Sequence, residues 1–150
     1  MRVALGSDHA GYDLKSLLAS TLVEWGYEVV DVGTKNGTDS VDYPDFGEAV
    51  GRCVTSGEAD LGVAVCGTGI GISIAANKVA GVRAAVVHDV TSARLAREHN
   101  HANVLCFGQR LIGATVAVDA LQAWLNATLG EGRHLRRIEK LSALDAHLDK

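Results

Sequence analysis

Leu61-Gly62-Val63-Ala64-Val65-Cys66-Gly67-Thr68-Gly69-Ile70-Gly71 is the stretch that decides the fold. Its first five residues form an apolar run of strand length. Alternate glycines then make a tight turn, and Ile72-Ser73-Ile74-Ala75-Ala76-Asn77-Lys78 reads as a helix start. Cys66 therefore stands where a strand turns into a helix N-terminus. Backbone N–H groups without helical partners collect at such a place. They attract anions and favour thiolate over thiol. One loop thus offers a proton-transfer group and a cradle for negative oxygen.

The same alternation extends in both directions. Val3-Ala4-Leu5 is a short apolar run, and Leu14, Leu17, Leu18, Leu22 and Trp25 follow on one helical face that Gly26 ends. Glu28–Val32 reads as a strand and Thr34–Asp42 as a polar loop. Pro44 fits the first turn of a helix that buries Phe46, Ala49, Val50 and Cys53. Val82–Val87 and Val104–Phe107 supply two more strands. Asp89–Asn100 and Gly113–Leu129 read as helices, the second packing Val116, Ala120, Leu121 and Trp124. Five strands alternating with helices imply a doubly wound α/β fold: a five-stranded parallel sheet with helices on both faces. No repeat or linker divides the chain, so residues 1–150 read as a single domain. A last helix follows Gly130-Glu131-Gly132 and carries the apolar stripe Leu135, Ile138, Leu141, Leu144 and Leu148. That stripe packs either on its own sheet or on a second subunit.

Bulk composition narrows the function classes. The chain is 47% hydrophobic and 21% charged, with a net charge of −4, which argues against a general nucleic-acid or membrane-surface binder. No apolar run approaches the ~20 residues that span a bilayer. The three cysteines are widely spaced without a CxxC pair, which favours reduced thiols and a cytoplasmic location. The N-terminus enters a strand pattern without a leader-like apolar segment.

Ligands of doubly wound sheets bind beyond the carboxyl ends of the strands. Here those ends read Ser7-Asp8-His9, Gly33-Thr34, Cys66 to Gly71, His88-Asp89 and Gly108-Gln109-Arg110. Gly67, Gly69 and Gly71 make GxGxG and not the dinucleotide GxGxxG, and no GK[ST] follows to make a Walker A loop. Cys53 lies on an apolar helix face and Cys106 inside a strand, where each reads as a small buried hydrophobe. Asp8 also suits a simple helix cap, and His99 a dipole partner in a last helical turn. Arg133 and Arg137 share a helix face, either as solvated surface or as a phosphate clamp to which Arg110 would add.

In order, Ser7-Asp8-His9-Ala10-Gly11, Asp42-Tyr43-Pro44, Cys66 to Lys78, Arg97-Glu98-His99-Asn100, Phe107-Gly108-Gln109-Arg110 and Gly132-Arg133-His134 resemble the B-type ribose-5-phosphate isomerases and their relatives, the galactose-6-phosphate isomerases. The resemblance implies a Rossmann-like fold, no metal or cofactor, and an active site shared between two subunits of a homodimer, or of a tetramer. It implies that Cys66 moves a proton between C1 and C2 of the open-chain sugar. Thr68 and the backbone of Gly67, Gly69, Ile70 and Gly71 would hold the enediolate oxygens. His99 would assist ring opening with Asp8 nearby. Tyr43 and Asn100 would contact the sugar, and His9, Arg110, Arg133 and Arg137 the phosphate. Ribose 5-phosphate is the expected substrate, because one chain carries both the Cys66 loop and the arginines. Galactose 6-phosphate, allose 6-phosphate or a tetrose phosphate is the nearest alternative, and a non-catalytic sugar-phosphate binding module a more distant one.

Overall fold

A computed structural model describes residues 1–148. Strands β1 (Arg2–Ser7), β2 (Glu28–Gly33), β3 (Leu61–Cys66), β4 (Ala84–Val86) and β5 (Val104–Gly108) form one parallel sheet in the order β2-β1-β3-β5-β4. Helices α1 (Tyr12–Glu24), α4 (Val90–Asn100) and α5 (Ala114–Asn126) cover one face. Helices α2 (Tyr43–Thr55) and α3 (Ile70–Ala76) cover the other. The topology explains the split. Connections that step one way along the sheet (β1 to β2, β4 to β5) must lie on one side to stay right-handed. Those that step the other way (β2 to β3, β3 to β4) must lie on the opposite side.

The two cores follow strand alternation. Val3, Leu5, Val63 and Leu105 point into the first, around the fully buried Trp124, whose indole N–H donates to the Ala102 carbonyl at 3.2 Å. Ala4, Ala64, Cys106 and Ile72 point into the second. There α2 approaches α3 closely at Gly47, where a Cβ would lie 2.8 Å from that of Ala75.

Several sequence expectations shift. On α1, Leu14, Leu18 and Leu22 are buried, but Leu17 is 38% exposed while Lys15 is 1% exposed. Lys15 lies closer to the centre of the buried arc, and its ammonium is satisfied there. It donates to Asp31 Oδ1 and Oδ2 at 2.8 and 3.1 Å and to the Thr34 carbonyl at 2.7 Å. On α5 Ala117 is buried and Val116 exposed, and on α2 Phe46 and Ala49 are only half-buried beside buried Gly47, Val50 and Cys53. Helix α3 begins two residues early, because Gly69 at φ +77° turns the chain directly into it. β4 is shorter than its apolar run. The last helix, α6 (Arg133–Leu144), rests on α4 and buries none of its residues, and Leu135, Leu141, Leu144 and Leu148 are exposed. Leu148 lies beyond α6, after a single 3-10 turn.

Candidate active site

After β1 the chain turns onto one face of the sheet, and after β3 onto the other, so the carboxyl ends of these strands border a crevice. The turns after β1, β3 and β5 meet there.

The β1 turn carries Asp8 and His9. Asp8 is 7% exposed and caps the short 3-10 turn after it, its Oδ1 accepting from the Gly11 N–H at 3.1 Å. His9 Nδ1 accepts from the Val41 N–H at 3.1 Å. In the neutral ring Nε2 is then the donor. Val41 was hidden in the sequence, because its contribution is a backbone group. The loop that carries it is built by Asn36, whose Oδ1 accepts from the Thr38 and Asp39 N–H groups.

The β3 turn carries the thiol. Cys66 is 4% exposed, and its Sγ accepts from the Gly69 N–H at 3.1 Å. Thr68 Oγ1 accepts from the Ile70 N–H, and the Gly69 carbonyl from the Ser73 N–H. Among the described residues, that leaves the first-turn N–H group of Gly71, which lines the cavity, for an incoming oxygen. The β5 turn lies across this loop. Gln109 N–H donates to the Cys66 carbonyl and Arg110 N–H to the Gly67 carbonyl, both at 3.0 Å. The guanidinium runs so close over Gly67 that a Cβ there would be 3.2 Å from an Arg110 nitrogen. The Tyr43 ring closes over Gly71, where a Cβ would lie 2.6 Å away.

Asp8, His9, Tyr43, Cys66, Gly67, Thr68, Ile70, Gly71 and Arg110 thereby line one open cavity of about 410 Å³, with Gly69 buried beneath. Of the three cysteines only Cys66 reaches it. Burial pushes the Cys53 and Cys106 thiols up, Glu58 adding to the effect at Cys53 and Cys66 at Cys106. Among the described residues no three His, Cys, Asp or Glu side chains gather to hold a metal ion.

His99, Asn100, Arg133 and Arg137 do not join this cavity. Helix α4 starts at the carboxyl edge of the sheet and runs back, so its last turn lies at the amino edge. Its eleven residues span about 16 Å. The start of α6 is tied there: Gly130 N–H donates to the Glu98 carbonyl, and His134 stacks flat on His99 with centroids 4.4 Å apart. Partial burial pushes the His134 imidazole below the usual histidine range. His99, Arg133 and Arg137 add to this, and Glu98 opposes it. Within one chain, then, Arg110 and the Arg133–Arg137 pair do not form the single cationic site that their spacing suggested. Helix spacing reports a shared face, not which edge of the sheet the face lies at.

The sequence model of the ribose/galactose isomerase family matches residues 3–141. The chain belongs to this family. It is 46% identical over 144 residues to ribose-5-phosphate isomerase B of Escherichia coli, covering 96% of each chain. The family fold is retained throughout. Ribose-5-phosphate isomerase B of Clostridium thermocellum superposes with a TM-score of 0.95 at 50% identity, covering 98% of this chain and 99% of that one. The Mycoplasma genitalium ribose-5-phosphate isomerase B, solved with bound ribulose-5-phosphate, gives 0.92 at 38% identity over 97% and 96%.

Proposed function

We propose that this family member interconverts ribose 5-phosphate and ribulose 5-phosphate, as one domain, with Cys66 as the proton-transfer group. The observation that carries the reading is the Cys66 sulfur at the edge of the cavity that the unpaired Gly71 N–H also lines, a donor that can receive an oxyanion. As the thiolate, Cys66 takes the C2 proton of the open-chain aldose. The C–H electron pair forms the C1–C2 double bond, and the carbonyl pair moves onto O1. The Gly71 N–H at the start of α3 meets that charge as it develops. The O2 proton passes to O1, the C2 carbonyl forms, and the Cys66 thiol returns its proton to C1. No net proton or electron is gained or lost. His9 and Arg110 face the same cavity and suit the phosphate, whose remote binding orients the reacting carbons.

A complete site takes two chains. His99, Asn100, Arg133 and Arg137 sit at the opposite edge of the sheet from Cys66, and α6 exposes its apolar residues. In the homodimer, His99 of the partner subunit assists ring opening near Asp8, and the partner's arginines complete the phosphate site. Three unpaired thiols suit a reducing compartment, which fits a cytoplasmic enzyme.

Direct measurement of ribulose 5-phosphate formation tests the reading. Cys66→Ala should lower kcat by at least about a thousandfold while ligand binding persists, and substantial turnover in this variant would reject the role. Mixing Cys66→Ala with His99→Ala under subunit exchange should restore about a quarter of wild-type activity, since half the dimers are mixed and each holds one intact site. No recovery despite verified exchange would reject the shared site.

A further inference from the structure

We infer that Gln109 is a positioning residue that keeps the phosphate end of the cavity in register with Cys66. Its effect on turnover rests on the isomerase reading above. Helix α1 has no side-chain cap of its own, since Gly11 stands at its N-cap. Gln109 supplies one from 95 positions away: its Oε1 accepts from the Leu14 N–H at 2.9 Å. Leu14 is the third residue of α1, so this is an N–H that the helix leaves unpaired. The backbone of the same residue donates to the Cys66 carbonyl, and the next residue donates to the Gly67 carbonyl.

One residue thus joins helix α1, which follows directly on the turn bearing Asp8 and His9, to the turn bearing Cys66 and to its own turn bearing Arg110. Among the described residues it makes the one side-chain hydrogen bond between the α1 segment and the β5 turn. The contacts beneath leave no slack. A Cβ at Gly108 would lie 2.5 Å from the Thr68 backbone, and one at Gly11 would lie 2.5 Å from the Val65 carbonyl oxygen. The β5 turn is therefore fixed to the Cys66 loop by backbone packing. The β1 turn is held on β3 by the Asp8 N–H, which donates to the Val65 carbonyl at 3.3 Å. The Gln109 amide adds the direct tie between α1 and the β5 turn. His9 and Arg110 enter the cavity from the β1 and β5 turns. Their separation, and so the distance from a held phosphate to the sulfur, is set by this bond together with those backbone contacts. A phosphate held out of register costs orientation at the reacting carbons.

Gln109→Met keeps the length and removes the acceptor. Gln109→Asn keeps the amide one methylene short, and breaks the same bond should the methionine variant fail to fold. Three quantities are read: kcat and KM for ribose 5-phosphate, inorganic phosphate affinity by titration calorimetry, and Tm. Both variants should lose about tenfold in kcat/KM, the factor that one hydrogen bond supplies, and should bind inorganic phosphate more weakly. Gln109→Glu, which retains the acceptor oxygen at a helix N-terminus, should restore Tm and most of kcat. A lower Tm with unchanged kcat, KM and phosphate affinity would reduce Gln109 to a helix cap and overturn the inference, as would no change at all. A wild type inactive on ribose 5-phosphate would sink the isomerase reading instead. The phosphate affinities of wild type and Gln109→Met would then decide the role of Gln109 by themselves.

Discussion

Gly108→Ala should uncouple the Cys66 loop without touching a side chain of the site. Gly108 has no positive φ, so alanine meets no backbone penalty there. What it meets is Thr68. The new methyl would lie 2.5 Å from the Thr68 carbonyl carbon and oxygen, about 0.9 Å inside ordinary contact, which begins at 3.4 Å. The obstacle is backbone on both sides, and the Gln109 and Arg110 N–H bonds to the Cys66 and Gly67 carbonyls resist separation. The strain falls on residues 67–69, and the Gly69 N–H moves relative to the Cys66 sulfur. A displacement of about 1 Å costs about a hundredfold in a positioned reaction, while overpacking of this size costs about 1–3 kcal/mol of stability. The assay is kcat/KM for ribose 5-phosphate beside a thermal melt. Gly113→Ala is the control, since a Cβ there enters open space only five residues away. Activity in Gly108→Ala within about twofold of wild type, at a temperature where the variant is folded, would refute the claim that backbone contact between the two turns sets the geometry of the thiol.

Arg137→Ala should raise KM for ribose 5-phosphate by about 10–100-fold, the loss of one charge-assisted contact, and should barely change turnover of unphosphorylated ribose. Equal effects on both sugars would return Arg137 to the solvated surface. His101, at φ +48° after α4, has its imidazole pushed below the usual 6.5 by burial, with Arg97 and Arg83 adding to it. Below that value the unfolded chain binds this proton more readily than the folded one, so the contribution is intact above about pH 6.5 and is lost as pH falls towards the lowered value. Between about pH 7 and pH 5 the Tm of His101→Asn should therefore fall less than that of wild type. Asparagine tolerates the left-handed backbone, and parallel Tm curves would contradict the assignment.

Local chemistry was legible in the sequence wherever the interacting groups are neighbours in the chain. The apolar run before Cys66, the glycine turn and the helix that follows are short-range features, so strand, turn and helix could be placed along with the thiol at their junction. The match to the isomerase motifs added residue roles that spacing alone left open. Lys15 shows where this ends: a lysine reads as exposed until Asp31 and the Thr34 carbonyl are known to lie beside it. Burial of a charge depends on what the neighbouring strand brings, and periodicity carries no record of that.

The sequence by itself determined the elements, their alternation and hence a parallel sheet covered on both faces, because hydrophobic period and right-handed crossovers leave few other arrangements. Only the tertiary structure decided the strand order, which inserts β5 between β3 and β4. It also decided the division of the named site residues into two groups. Cys66, Thr68, His9 and Arg110 meet because their turns all leave the carboxyl edge. His99 and the Arg133–Arg137 pair are carried to the other edge because α4 must run antiparallel to the strands it connects. A helix face can be read from residue spacing, but which end of the sheet it occupies is set by chain direction through the whole fold.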